Sequence, residues 1–145
     1  MQHEQPRAAN EVEDFLFKDE VYRIVGAAME VHRVMGPGFL EAVYQECLAK
    51  ECRARGIPFA EHPRIKLIYK GDTLDKEYIS DFLFYDMIPA EIKALARCGP
   101  NEEAQIINAL RASSKTLGLL INFGEPSLYW KRYANTRPKK PAELA

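Results

Sequence analysis

Three charged residues lie inside an otherwise apolar stretch, Ile79–Leu95, and their spacing could support chemistry. Asp81 and Glu91 each lie five positions from Asp86. An antiparallel hairpin with its turn at Asp86 would therefore bring the two carboxylates opposite each other, with Cβ atoms ~4.5–5.5 Å apart. Glu91 and Lys93 are two residues apart and share one face of a strand. Because two adjacent carboxylates repel each other without a cation between them, the pattern predicts a cation site with an ammonium group at its edge.

The oxygen atoms of this stretch suit a hard divalent cation, Mg2+ or Mn2+. Asp81 and Glu91 would supply two carboxylates, and the main-chain carbonyl of Ile92 would add an oxygen. Such a metal polarises a phosphoryl oxygen and lowers the pKa of a bound water. Lys93 could orient that water or stabilise the charge that develops on the phosphorus centre. These residue types therefore point to phosphodiester hydrolysis.

Two further polar residues lie on predicted helices that could reach this site. Glu41 is in the first turn of a helix and is the best candidate for a third acid, although a role limited to the helix dipole stays open. Gln105 opens the helix that follows the hairpin and could hold a water or a phosphate. Neither residue is a site by itself, so each depends on how the helices pack.

The alternative to a site is a solvated, salt-bridged strand face formed by Glu91 and Lys93. The surrounding pattern argues against it, because Ile88, Ala90 and Ile92 occupy one face and Leu95 follows the charges on the other. A strand buried on both sides makes unpaired charges expensive. A purely structural hairpin without a ligand nevertheless stays open.

The elements that must position these residues follow from hydrophobic periodicity and from turn residues. The pattern predicts a helix from about Lys18 that ends at Gly36, a second from about Leu40 to Arg55 that is closed by Gly56, and a third from Asn101 to about Leu117. Predicted strands cover about 65–70, 77–84, 87–95, 119–123 and 128–133, and the first three form a meander. We expect a bulge or sheet edge at Pro89 and a packed, backbone-bonded His32. The order is ααβββαββ, an α/β domain with a mixed sheet flanked by helices.

Composition limits the classes of function. The chain has 145 residues, a formal net charge of -1 and three cysteines without a CxxC spacing. No strong overall field attracts nucleic acid, and neither a disulfide framework nor a structural zinc site is expected. We expect one domain at 18–134, a flexible leader at 1–17 and a disordered basic tail at 135–145. The lack of a membrane span and of a signal-peptide core predicts a cytoplasmic protein.

The residues assembled above resemble the GxxExxY family, a branch of the PD-(D/E)XK nuclease superfamily. Gly38-Phe-Leu-Glu41-Ala-Val-Tyr44 is similar to the motif that names the family. Asp81 and Glu91-Ile-Lys93 are similar to its D and ExK elements. The closing half of the family's pattern is similar to three features of this chain, namely Gln105, the run Leu117–Gly124 and Lys131-Arg132. The resemblance covers about residues 20 to 133.

This resemblance implies a restriction-endonuclease-like core and a metal-dependent nuclease acting on DNA. By resemblance, Asp81, Glu91 and Glu41 are metal ligands that bind Mg2+ or Mn2+, and Lys93 is catalytic together with them. Gln105 and Tyr44 would support the substrate, and a homodimer stays open. The chain differs from the family pattern at Ala109, where a QxxxY element has tyrosine, and at Pro89, where a strand residue is expected. A catalytically silent nuclease fold that binds nucleic acid or a protein partner is therefore the alternative.

Overall fold

The structure, a computed structural model, describes residues 16–135. It contains three α-helices and seven β-strands among those residues. The helices are α1 (Lys18–Met35), α2 (Glu41–Arg55) and α3 (Pro100–Ser113). The strands are β1 (Phe59–Glu61), β2 (Arg64–Tyr69), β3 (Asp72–Ile79), β4 (Phe82–Phe84), β5 (Ile88–Lys93), β6 (Leu117–Asn122) and β7 (Tyr129–Ala134).

The main sheet is mixed and five-stranded, with the order β1-β4-β5-β6-β7. β5 lies at its centre, antiparallel to β4 and parallel to β6. All of β6 and all of β5 before Lys93 are buried, as expected for strands covered on both faces. The expected mixed sheet flanked by helices is therefore confirmed.

Two layers cover the sheet. Helices α1 and α2 pack on the face that carries Ile88, Ala90 and Ile92, and they form the main apolar core with it. Helix α3 covers the opposite face, where a Cβ at Gly118 would lie 2.8 Å from the Ile106 side chain. Successive residues of a strand point to opposite faces, so Glu91 lies on the α3 side of β5.

The predicted meander is wrong, because the run 77–84 is two strands rather than one. β3 pairs only with β2 in a separate two-stranded sheet, while β4 joins the main sheet between β1 and β5. The chain changes sheets at Ser80 and Asp81, which lie between the two strands. The short strand β1 was also not predicted, since three residues carry too little periodicity to indicate a strand.

The prediction of an edge or bulge at Pro89 is also wrong. β5 is the central strand, and Pro89 pairs with Leu83 in an unshifted register. The parallel pairing with β6 begins one residue later, at Ala90. Proline is tolerated here because it lies near the start of the strand, before the ladder on that side begins.

Glycines end the first two helices as expected. Gly56 follows α2 in the left-handed helical conformation, and Gly36 follows α1 with φ of 68° and an extended ψ of 174°, which glycine also adopts readily. The third helix differs from the prediction at both ends. Gly99 rather than Asn101 precedes it, and its N–H donates to Glu102 at 2.6 Å. The helix ends at Ser113, so Leu117 belongs to β6.

His32 packs as predicted: its Nε2 bonds the carbonyl of Glu125 at 2.9 Å. The three cysteines are free. In the described part of the chain, no helix combines the length and apolar character that a membrane span needs. The predicted leader and basic tail lie almost wholly outside residues 16–135.

Candidate active site

The hairpin β4–β5 has the register that the sequence predicts. Its pairs run from Phe82↔Ala90 to Phe84↔Ile88, which centres the turn on Asp86. Asp81 directly precedes β4 and continues this register toward Glu91. Its Oδ2 accepts a hydrogen bond of 2.7 Å from the N–H of Ile92. The Asp81 carboxylate is therefore attached to the backbone of β5 beside Glu91.

Glu91 is a buried carboxylate in an unfavourable electrostatic environment. Its side chain is on the central strand, and the residue is only 5% exposed. Burial, together with the nearby negative charge of Asp81, raises the pKa of Glu91 to about 7. The hydroxyls of Tyr78 and Ser80 and the charge of Lys93 oppose this increase without cancelling it.

Tyr78 and Ser80 are site residues that the sequence analysis missed. The Tyr78 hydroxyl donates to Oε2 of Glu91, and Ser80 Oγ lies 3.1 Å from the same oxygen. Both hydrogen bonds therefore fall on one carboxylate oxygen. Burial, followed by the hydrogen bond to Glu91, raises the pKa of Tyr78 well above its usual range, so its hydroxyl keeps its proton. The only signal in the sequence was their position just before Asp81.

Lys93 and Gln105 are brought together from different elements. Lys93 ends β5, and its Nζ donates a hydrogen bond of 3.1 Å to Oε1 of Gln105 on α3. Gln105 is exposed, so this contact lies at the surface of the site. Because α3 covers the face that carries Glu91, the ammonium group lies on the carboxylate side of the sheet.

Glu41 lies close enough to Lys93 and Asp81 to interact with their charges. It is the first residue of α2, and that helix packs against β5. Burial raises the pKa of Glu41, the charge of Lys93 lowers it and the charge of Asp81 raises it. However, among residues 16–135 no group of three or more His, Cys, Asp or Glu side chains is arranged to hold a metal ion. The predicted set of three carboxylate ligands is therefore not assembled as one cluster.

Tyr44 supports the site from the inside. It is fully buried, and its ring stacks on Phe123 with centroids 4.8 Å apart. Its hydroxyl donates to the carbonyl of Gly36 at 2.5 Å and accepts from the N–H of Phe39 at 3.1 Å. With its side chain fully buried, Tyr44 presents no surface to solvent. Instead it holds the segment that leads into Glu41.

Asn122 is a second buried polar side chain that the sequence analysis missed. It is fully buried and pairs with Lys93 across the β5–β6 ladder. Its amide bonds both the N–H and the carbonyl of Leu95 at 2.9 Å, and it also donates to Glu125 at 2.9 Å. Gly124 follows closely, since a Cβ there would lie 2.3 Å from the Leu95 carbonyl oxygen. Asn122 therefore fixes the chain that leaves the end of β5.

The donor set at Asp81 and Glu91 fits a divalent cation with oxygen ligands. The carboxylates of Asp81 and Glu91 lie side by side. The hydrogen bonds from Tyr78 and Ser80 both reach Oε2 of Glu91, so neither of them uses Oε1. The repulsion that raises the pKa of Glu91 is the interaction that a cation would relieve. Mg2+ commonly uses one or two carboxylates and completes its shell with water and substrate.

A comparison with known protein families assigns the domain as a whole. Residues 18–133, most of the chain, match the PD-(D/E)XK nuclease superfamily. The same comparisons found no matching curated protein and no matching solved structure. The mixed sheet with flanking helices agrees with the restriction-endonuclease-like core that we expected. The chain belongs to the PD-(D/E)XK nuclease superfamily.

Proposed function

We propose that the protein is a metal-dependent nuclease that hydrolyses phosphodiester bonds of DNA. The observation that carries this proposal is Glu91, a carboxylate that is 5% exposed, lies beside Asp81 and has its pKa raised to about 7. A buried acid with no ligand would lower the stability of the fold, and no other interaction would offset that loss. A divalent cation shared with Asp81 gives the buried charge a role.

Asp81 and Glu91 would hold Mg2+ or Mn2+ in this proposal. The bound metal supplies polarisation of the phosphoryl oxygen and a lowered pKa of water. Glu41 lies within electrostatic range of Asp81 and Lys93, so we assign it to the edge of the site, where its carboxylate would hold a water. Tyr78 and Ser80 orient Glu91 through their hydrogen bonds to Oε2.

Lys93 is the catalytic cation in this scheme. Its Nζ is held 3.1 Å from Gln105 Oε1, which restricts the long side chain before substrate arrives. A positioned ammonium stabilises the negative charge that develops on the phosphate oxygens in the transition state. Gln105 acts as the positioning residue and offers its remaining amide protons to a phosphate or a water.

A catalytically silent member of the superfamily is the second candidate. Ala109 stands where a QxxxY element has tyrosine, and it is buried against the core rather than available to substrate. The formal net charge of -1 also supplies little general attraction to a polyanion. Such a protein would use the same surface to bind nucleic acid or a protein partner without turnover.

Membership of the GxxExxY branch, the choice of DNA over RNA and a homodimer belong to the proposal as well. The branch is supported by Gly38, Glu41 and Tyr44 at the spacing of its motif. In the structure this spacing joins a loop, the first residue of α2 and the buried tyrosine that holds the loop.

Cleavage assays with a lysine variant test the proposal. Purified wild type, Lys93→Ala and the control Lys76→Ala are incubated with linear, circular, single-stranded and branched DNA in Mg2+ or Mn2+. Lys76 is exposed on β3 and outside the site. We expect cleavage by wild type and the control, and roughly a 10²–10³-fold loss in Lys93→Ala.

Equal cleavage by wild type and Lys93→Ala, or no cleavage of any substrate, would contradict the nuclease proposal. Binding without cleavage would favour the silent module. The dependence of that binding on salt then separates its partners, because each phosphate contact steepens the log-log slope by about 0.9 on duplex DNA and about 0.7 on single strands. A slope near zero would favour a protein partner.

A further inference from the structure

Two large apolar side chains are exposed directly before Glu41. Phe39 is 48% exposed and Leu40 is 80% exposed. A single exposed leucine on a protein surface has no special meaning. Here, however, the two residues are adjacent and belong to the loop Gly36–Leu40, which connects α1 to the helix that begins with Glu41.

The loop Gly36–Leu40 is held in place rather than collapsed onto the core. The Tyr44 hydroxyl bonds it at two points, the carbonyl of Gly36 and the N–H of Phe39. Gly36 and Gly38 adopt φ of 68° and 114°, which side chains with a Cβ rarely tolerate. Because the backbone is fixed in this way, the loop presents Phe39 and Leu40 to the outside.

The contacts of Phe123 place this loop at the end of the sheet that carries Lys93. The N–H of Phe123 donates to the Lys93 carbonyl at 2.8 Å. The ring of Phe123 stacks on Tyr44, which holds the loop. On the other side, Glu41 follows Leu40 directly and interacts electrostatically with Asp81 and Lys93. The loop is thus linked to the end of β5 through Tyr44 and Phe123, and to Glu41 through the chain itself.

We propose that Phe39 and Leu40 form an apolar wedge that contacts the faces of nucleotide bases beside the phosphate bound at Lys93. The proposal rests on the proposed function and names its substrate class. In an intact duplex the base faces are covered by stacking, and apolar side chains reach them only where the stack is open or is forced open. Stacking on protein aromatic rings favours unpaired bases of any sequence.

The preferred substrate would therefore be DNA with unpaired nucleotides next to the scissile phosphate, such as a single strand, a flap or a branch. Leu95, two residues beyond Lys93, is a further exposed apolar side chain, at 37%. The test must distinguish the binding of bases at Phe39 and Leu40 from the binding of a protein partner or a second copy of the chain.

The test measures binding, so that it does not depend on cleavage. Fluorescence anisotropy gives the affinity of the wild-type protein in EDTA, which withholds the metal that cleavage needs, for labelled single-stranded, flapped and fully paired DNA of matched length. Phe39→Ala and Leu40→Ala are then added separately, with Tyr22→Ala as the control. Tyr22 is 81% exposed on α1 and outside the loop.

We expect binding to single-stranded and flapped DNA to be about tenfold tighter than to the duplex, by the usual size of base stacking on a protein side chain. Phe39→Ala and Leu40→Ala should each lose most of this preference with duplex binding unchanged, while Tyr22→Ala keeps it. Thermal unfolding checks the fold, and Leu40→Ala removes a side chain that is too exposed for its loss to unfold the protein.

An unchanged preference in both variants, or an equal loss in Tyr22→Ala, would overturn the wedge. A change in sedimentation of the variants without a change in DNA preference would assign Phe39 and Leu40 to an interface between copies and overturn it too. Cleavage by wild type without the preference contradicts the wedge alone. The preference without cleavage by wild type contradicts the nuclease alone, and no DNA binding contradicts both.

Discussion

Glu91 and Asn122 are buried polar side chains on neighbouring strands, and their surroundings differ completely. Asn122 is fully buried with its amide oxygen and nitrogen both hydrogen-bonded, to Leu95 and to Glu125 among others. Glu91 is buried beside another carboxylate, and its pKa is raised to about 7.

This comparison separates a polar group that stabilises the fold from one whose surroundings suit a bound cation. A satisfied amide contributes to stability, because its removal leaves its hydrogen-bond partners unpaired. A carboxylate beside another carboxylate costs stability unless a cation is bound. Glu91 and Lys93 are two residues apart, and Asn122 pairs with Lys93, so the two roles meet at one end of the sheet.

The largest expected effect is on catalysis. Glu91→Gln removes the buried charge while keeping the shape of the side chain and most of its hydrogen-bonding capacity. We expect DNA cleavage to fall by about 10²–10³-fold, since the proposed metal would lose one of its two carboxylate ligands. Rates with Mn2+ measure the effect, and a thermal stability no lower than that of wild type shows that the fold is intact. A variant that cleaves like wild type would remove Glu91 from the mechanism.

Asn122→Ala should act on stability first. The substitution leaves the N–H and carbonyl of Leu95 without their partner, along with the Glu125 carboxylate. An unsatisfied group costs about 1–3 kcal/mol when it is buried, and water can reach the partly exposed Leu95 and Glu125, so we expect the free energy of unfolding to fall by roughly 2–3 kcal/mol in total. Urea unfolding measures this quantity. A loss below ~1 kcal/mol would contradict the claim that Asn122, unlike Glu91, stabilises the fold through its hydrogen bonds.

The dependence of stability on pH should identify Glu91 in the metal-free protein. Its pKa is about 7 in the folded chain against an ordinary value of 4.5, so the folded state retains a proton that the unfolded state has lost. Stability should therefore be highest below pH 4.5 for this group and fall as pH rises through 7, by at most about 3 kcal/mol. Glu41 contributes in the same direction, because its pKa is also raised.

The difference in the free energy of unfolding between wild type and Glu91→Gln, followed across pH, isolates the contribution of Glu91. Unfolding is measured in EDTA between pH 5 and 8. Parallel profiles of the two proteins would contradict a raised pKa at Glu91.

Local signals explain which parts of the structure were predictable. Gly36 and Gly56 end helices through their own backbone freedom, and the turn at Asp86 sets the register that brings Asp81 beside Glu91. The change of sheets at Ser80 was not predictable, because residues 77–84 read as one strand until β1 and β2 are placed. Pro89 likewise is tolerated in the central strand through the position of β6, which no local signal gives.

The partners of the site were harder to predict than its charged members. Asp81, Glu91 and Lys93 were identified because charge inside an apolar strand is unusual. Tyr78 and Ser80 are ordinary residues of a β-rich run, and they reach Glu91 only because the chain leaves β3 there. Asn122 is similar, since its four hydrogen bonds depend on loops that follow β5 and β6.

Mn2+ titration by calorimetry tests the central claim most directly, namely that Asp81 and Glu91 form a cation site. Wild type at pH 7 should bind Mn2+ and release protons in the process, since Glu91 is partly protonated before the metal arrives. Asp81→Asn and Glu91→Gln should each weaken binding by tenfold or more, by analogy with other ligand losses. No measurable binding to wild type, or equal binding to Asp81→Asn, would contradict the claim.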